Sequence, residues 1–319
     1  MTRGLPARVS SKPQYALHPL RALRRATRPV SQPRAGAQPR TARLPWGVEL
    51  KLYESDAIGY SILVGRVFDP CVTEAIHRLV DPGQLVIDVG ANIGYMTSLM
   101  AARAGPAGRV VAVEPHPAVY ELLRANVEAW SREPGLAPIE LHRLALSDRA
   151  GTGRLVAGPL FEQNMALARL AEGTDTAAGE VSHEVELRRL DELVGRAPVG
   201  LLKVDVEGHE SEVLCGASDL LERRLVRDVI FEDHEPYPSE STALVEQWGY
   251  HLVSLTNDLW GLRLRTPRDR GPTPAWPGPS YLASSDPTRA LSRLSARGWR
   301  VRGIGISLPR IRRRAGATS

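Results

Sequence analysis

The chain reads as an α/β protein built on a doubly wound, mostly parallel sheet, and three observations carry that reading. Short β-branched runs recur through its middle, stretches of helical periodicity separate them, and a glycine-rich turn follows the first run. Strands that alternate with helices of about 10–15 residues need crossover connections, which are right-handed and put helices on both faces of the sheet.

The expected strands are Leu85–Val89 (LVIDV), Arg109–Val113 (RVVAV), Ile139–Leu146 (IELHRLAL), Leu201–Val206 (LLKVDV) and Asp228–Glu232 (DVIFE). Their nearly continuous apolar character suits strands buried on both faces. Gly94–Ala104, Pro117–Trp130 and His209–Arg223 are the expected crossover helices; in the last, Val213, Leu214, Ala217, Leu220 and Leu221 share a face. His251–Leu255 and Leu259–Leu264, around Asn257 and Asp258, predict an antiparallel hairpin on the sheet edge. Upstream, Gly47–Gly65 alternates as a strand does and Pro70–Val80 has a helical pattern, together a small N-terminal β/α cap. Gly151–Pro198, long and irregular, joins the third and fourth strands, where insertions over the carboxyl edge shape substrate pockets.

Charge divides the chain. Residues 1–48 hold nine Arg, one Lys and no acid, and residues 263–319 hold thirteen Arg against Asp269 and Asp286. The net charge of +5 therefore conceals a middle carrying sixteen excess negative charges between two basic ends. The expected organisation is a basic, disordered tail over residues 1–45, one domain over 46–265, and a basic Pro/Arg-rich, mostly disordered tail over 266–319, because such compositions bury too little apolar surface to offset ordering entropy. The runs Arg24–Arg28 and Arg310–Arg314 are read as solvated rather than as nucleic-acid docking sites, since nothing else in the chain suggests nucleic-acid recognition. Cys71 and Cys215 match no metal-ligand spacing and imply no disulfide framework. That suits a reducing, cytoplasmic setting, and because no apolar run reaches the roughly 20 residues that cross a bilayer a soluble protein is expected.

The chemistry starts where the first expected strand turns into a helix. In Asp88-Val-Gly90-Ala91-Asn92-Ile-Gly94 the glycines permit a tight turn and close approach of a ligand to the backbone. Asn92 stands at the second glycine of a dinucleotide fingerprint and Gly94 falls one residue before the third, which argues against a pyrophosphate ligand. An acid at Asp88 suits a ligand with a positive amino group, such as S-adenosylmethionine. Glu114, followed by Pro115, ends the second strand and can accept both ribose hydroxyls. Ser147 and Asp148 end the third and can reach an adenine amino group.

VIDVGANIG at Val86–Gly94, VAVEPHP, LALSD, LDEL at Leu190–Leu193 and KVDVEGHE at Lys203–Glu210 together resemble the FkbM family of methyltransferases, over roughly Gly47–Leu264. The resemblance implies a class I methyltransferase fold, S-adenosylmethionine as donor, and O-methylation of a hydroxyl on a sugar, polyketide or other small product. It assigns donor binding to Asp88, Gly90, Asn92, Gly94 and Glu114. The acceptor is left open by the breadth of the family.

Asp205, Glu207 and His209 leave the fourth strand beside the first and should face the methyl group, while Glu232 and His234 end the fifth strand next door. Asp205 or His234 is expected to be the general base, with Glu207 and His209 alongside. A divalent cation on Asp205, Glu232 and His234 is an alternative that is not predicted, and a purely structural role is a third. Lys203 is expected on the face opposite Asp205, in a structural salt bridge. Trp130, Trp248 and Trp260 are read as packing residues, and Cys215 as a small buried hydrophobe. Two other readings stand beside the small-molecule methyltransferase: a nicotinamide-dependent oxidoreductase on the same sheet, and an RNA methyltransferase whose basic ends deliver the substrate.

Overall fold

The computed structural model describes residues 38–158, 161, 165, 168–171, 180–258, 260–269 and 279–302. The disorder expected of residues 1–37 and 303–319 lies outside them.

The chain enters as an antiparallel ribbon of β1 (Arg40–Arg43) and β2 (Glu49–Leu52). Strand alternation was expected to run on to Gly65, but it stops at Leu52. Asp56 caps the next helix, α1 (Ala57–Gly65), by accepting the Gly59 N–H, and this local bond favours helix over strand. Helix α2 (Pro70–Leu79) follows, with Asp69 as its N-cap and Pro70 in its first turn.

The central sheet begins at β3 (Leu85–Val89), followed by α3 (Tyr95–Ala104), β4 (Arg109–Val113), α4 (Pro117–Trp130) and β5 (Ile139–His142). The single third strand expected over Ile139–Leu146 is two strands. After β5 the chain turns at Arg143 and Leu144, and β6 (Ala145–Leu146) pairs in a second sheet with β9 (Val181–Arg188). That sheet, ordered β6-β9-β7-β8, also contains β7 (Gly151–Ala157) and β8 (Ala168–Leu170). The insertion expected to be irregular thus contributes three strands among its described residues, with a small core of its own around Leu155, Val185 and Leu187.

Helix α5 (Leu190–Val194) returns the chain to the central sheet at β10 (Val199–Val204). The one helix expected over His209–Arg223 is two, α6 (Glu210–Cys215) and α7 (Ser218–Glu222). Gly216 lies between them, where a Cβ would stand 2.0 Å from the Ser147 carbonyl oxygen. The chain continues through β11 (Val226–Glu232), α8 (Glu240–Gln247), β12 (His251–Asp258), β13 (Gly261–Arg265), β14 (Ser280–Ser284) and α9 (Pro287–Leu294).

The eight-stranded sheet has the order β13-β12-β14-β11-β10-β3-β4-β5. The five strands β11-β10-β3-β4-β5 are parallel, while β14 runs antiparallel between β11 and β12. The hairpin of β12 and β13 lies at the edge as expected, but β14 separates it from β11. Residues 266–319 are therefore not wholly a tail, and the ordered domain extends from β1 to Arg302, beyond the expected bounds of 46 and 265.

The composition of the C-terminal stretch misled because its basic residues have specific partners. Arg289 donates to Asp81 at 2.6 Å and to Asp228 at 3.0 Å, and Arg293 also pairs with Asp81. Nearby, the buried pair Glu74–Arg78 docks the end of the domain: Glu74 accepts the Arg300 and Val301 N–H groups, and Arg78 donates to the carbonyls of Leu294, Ala296 and Gly298. All five residues of β14 are buried, the burial expected of a strand within a sheet covered on both faces.

Apolar layers cover both faces of the sheet. Ile62, Leu79, Ile93, Leu99 and Met100 belong to the layer formed with α1 to α3, and Val213, Leu214, Leu220 and Val245 to the one formed with α6 to α8. From β3 the chain winds outward through β4 to β5, then restarts at β10 on the other side. This reversal opens a crevice at the carboxyl ends of β3 and β10.

Candidate functional site

The crevice is a cleft of about 1160 Å³, counting the space open to solvent at its mouth. Its floor is the turn after β3. Gly90, Asn92 and Gly94 have φ of 72°, 50° and 94°, in the left-handed region. Gly90 has no alternative, because a Cβ there would stand 1.9 Å from the Asp205 carbonyl oxygen. The Gly90 and Ala91 N–H groups donate to the Val113 carbonyl, each at 3.0 Å, which ties the turn to β4.

Glu114, immediately after β4, completes this floor. Its Oε2 accepts the Asn92 N–H at 2.9 Å and its Oε1 accepts the His116 N–H at 2.9 Å. The carboxylate is thereby held in one orientation while still lining the cleft. Burial pushes its pKa up to about 7 against the opposing effect of those two bonds.

Asp88 does not reach the cleft. It is fully buried under the turn, accepting the Thr97 hydroxyl at 2.6 Å and lying 3.3 Å from Lys203 Nζ at ion-pair rather than hydrogen-bond geometry. The role expected for it, direct contact with a ligand's amino group, is replaced by bracing the turn from below. Lys203 is salt-bridged as expected, but it shares a face with Asp205, 3.4 Å from Oδ2, since residues two apart in a strand point the same way. It also donates to the Gly90 carbonyl at 3.2 Å. Burial opposes its charge, but Asp205 and Asp88 hold its pKa above the ordinary lysine value.

Ser147 and Asp148, expected near an adenine, are outside the lining of the cleft. Ser147 is buried with its hydroxyl 3.0 Å from His209 Nε2, and Asp148 pairs with the exposed Arg149. The kink after β5 turns these two residues away and leaves Leu144, Ala145 and Leu146 as the wall.

The opposite rim gathers the acids expected after β10 and β11. Asp205, Glu207, His209 and Glu232 all line the cleft, with Pro115 on the Glu114 side. Glu207 has φ of 56°, and Glu210 stabilises that turn by accepting the Val206 and Gly208 N–H groups at 3.1 and 3.0 Å. Burial, then the charges of Asp205 and Glu210, raise the Glu207 pKa to about 7. His209 caps α6 and is engaged with Ser147, its Nδ1 also 3.4 Å from Glu212. His234 is set back from the lining, with Nε2 3.4 Å from Glu232 and 3.9 Å from Glu207. Among the described residues no group of three or more His, Cys, Asp or Glu side chains has metal-binding geometry, and Asp205, Glu232 and His234 form no such set.

One lining acid went unnoticed in the sequence. Asp69, the N-cap of α2, has φ of 33° and reaches the cleft from the N-terminal cap, where burial raises its pKa to about 6. Asp-Pro announced a helix start, but nothing local announced that this helix points at the sheet's carboxyl edge. The cap and the second sheet add apolar walls, including Ile58, Phe68 and Val72 on one side and Leu155 and Leu170 on the other. Two packing expectations divide as well: Trp130 is buried and donates to the Glu49 carbonyl, whereas Trp260 is exposed at the hairpin tip. Cys215 is half-buried rather than buried.

A sequence profile described as the methyltransferase FkbM domain matches residues 88–252. Methyltransferase sdnD of Sordaria araneosa is 33% identical over 64% of this chain and 90% of its own length. The 31-O-demethyl-FK506 methyltransferase FkbM of Streptomyces tacrolimicus is 31% identical over 56% of this chain and 77% of its own. Hexuronic acid methyltransferase AglP of Haloferax volcanii is 33% identical over 50% of this chain and 60% of its own. The profile and these relatives identify the chain, with its doubly wound sheet, as an S-adenosylmethionine-dependent methyltransferase. The chain belongs to the FkbM methyltransferase family. No helix among the described residues is long and apolar enough to cross a membrane.

Proposed function

We propose that the enzyme transfers the methyl group to a hydroxyl of a small molecule such as a sugar or polyketide, with S-adenosylmethionine bound across the turn at Gly90–Gly94 and Glu114. The residues present fit that donor. Glu114 offers a fixed carboxylate to a ribose diol, the backbone of Gly90 to Asn92 lines the cleft beside it, and the acids beyond suit a cation. When bound, S-adenosylmethionine supplies an electrophilic methyl on a positively charged sulfur.

The observation that carries the oxygen acceptor is Glu207. A hydroxyl must lose its proton as the oxygen acquires the methyl group, and a base works best when its pKa lies near the working pH. Glu207 lines the cleft with a pKa of about 7. His234, within 3.9 Å of it and half exposed, is suited to pass that proton to solvent. Asp205, held by Lys203 at 3.4 Å, lines the cleft beside Glu207 and orients the acceptor. His209 acts one step back, holding Ser147 and the start of α6. The apolar walls suit an acceptor with hydrocarbon surface around its hydroxyl, and one relative is named a 31-O-demethyl-FK506 methyltransferase.

The test is to incubate the enzyme with methyl-labelled donor and a panel of glycosylated and polyketide alcohols, then locate the label by NMR. A new O-methyl group supports the reading. Label that enters only nitrogen, or only RNA, overturns it.

A further inference from the structure

The donor cleft carries far more negative than positive charge. Asp69 from the N-cap of α2, Asp205 and Glu207 from the turn after β10, and Glu232 from the end of β11 come from three separate elements yet line one space. Asp88 and Glu114 lie beneath and beside them. Lys203 is the only Lys or Arg lining the cleft among the described residues, and its ammonium is shared between Asp88 and Asp205. His234 lies behind, between Glu207 and Glu232.

Asp69 caps α2 and Asp205 pairs with Lys203, but gathering these acids in one space also carries an electrostatic cost. Like charges gathered in a partly desolvated space repel one another: burial is the main cause that raises the pKa values of Asp69 and Glu207, and the charge of Asp205 raises both further. Asp69 is held there in a left-handed backbone conformation that a non-glycine residue seldom adopts.

We propose that Asp69, Asp205, Glu207 and Glu232 discriminate donor from product by charge, retaining cationic S-adenosylmethionine and releasing neutral-sulfur S-adenosylhomocysteine. The inference rests on the donor reading above. In the transfer the acceptor oxygen gains the methyl carbon, the carbon–sulfur bond breaks with its electron pair left on sulfur, and the hydroxyl proton passes to a carboxylate. The positive sulfur and one negative carboxylate both vanish in that event. The attraction that held the donor is therefore switched off by the chemistry, and the product leaves a cleft ready for the next cation. The same field disfavours acceptors bearing a carboxylate or phosphate near their hydroxyl.

Isothermal titration calorimetry of the full chain at pH 8 with three nucleosides tests this: S-adenosylmethionine, S-adenosylhomocysteine, and sinefungin, whose amine carries the positive charge where the donor has its sulfonium. The two cations are expected to bind at least tenfold more tightly than S-adenosylhomocysteine. Asp69→Asn, which keeps a capping oxygen for α2, and Glu232→Gln should each reduce that ratio at least threefold while leaving affinity for S-adenosylhomocysteine within twofold. Equal or tighter binding of S-adenosylhomocysteine, or variants that leave the ratio unchanged, overturns the proposal while the donor reading stands. Failure of all three to bind overturns both.

Discussion

Lys203 Nζ stands 3.4 Å from Asp205 Oδ2, and this contact joins the acidic rim of the cleft to the floor beneath it. The same ammonium reaches buried Asp88 and the Gly90 carbonyl, so one side chain links β10, β3 and the turn that follows. Removing one partner from a buried ion pair leaves an uncompensated charge, which costs about 3–5 kcal/mol. Lys203→Met is expected to lower the unfolding free energy in urea by that amount and to weaken donor binding with it. A loss within experimental error of zero would mean that Asp88 and Asp205 are stabilised by other means.

The two turn glycines should differ in tolerance. A Cβ at Gly90 meets the backbone carbonyl of Asp205 at 1.9 Å, whereas at Gly94 it meets the side chains of Leu123 at 2.7 Å and Trp130 at 2.9 Å. Side chains can shift more easily than a strand end. Gly90→Ala is expected to destabilise by more than about 3 kcal/mol, and Gly94→Ala by less. Chemical denaturation of the two variants side by side checks the order, and a reversed order would contradict the packing described for the turn.

Carboxylates withdrawn wholly or partly from water make the protein sensitive to mild alkali. Glu114, Glu207 and Glu210 have pKa values near 7 in the fold, each raised chiefly by burial from an ordinary 4.5. The folded state therefore holds protons that the unfolded chain has released, and stability falls as pH rises from 4.5 through 7. His116 pulls the other way, since burial and then the charge of His183 bring its pKa down from 6.5 to about 4, but its contribution levels off above about pH 7.5 and is smaller than that of the three acids over this range. Between pH 6.5 and 8 the net loss should be on the order of 1–2 kcal/mol, visible as a falling Tm. A Tm that rises over this interval would contradict the burial of these acids.

Much of this architecture was legible because the signals were local. Leu85–Val89, Arg109–Val113 and Pro117–Trp130 occupy the stretches their periodicity marks, and the turn at Gly90–Gly94 follows from glycines placed between strand and helix. The departures arose where distant contacts overrule composition. Ser280–Ser284 sits in a Pro/Arg-rich stretch, yet it completes the sheet between β11 and β12, and Arg289 and Arg293 are anchored by Asp81 far upstream. An acid at Asp88 suits a ligand's positive amino group on sequence grounds, and only the position of Thr97 and Lys203 reveals that it faces inward. Asp69 escaped notice for the converse reason: a helix cap is a local signal, but the cleft it faces is built by strands that come later in the chain.

Donor binding at the turn and Glu114 is the central claim, and calorimetric titration of S-adenosylmethionine into wild-type and Glu114→Ala protein tests it most directly. Hydrogen bonds to a charged group contribute roughly 1.5–3 kcal/mol, so the variant should bind about 10- to 100-fold more weakly. Unchanged affinity in a folded Glu114→Ala protein would place the donor elsewhere.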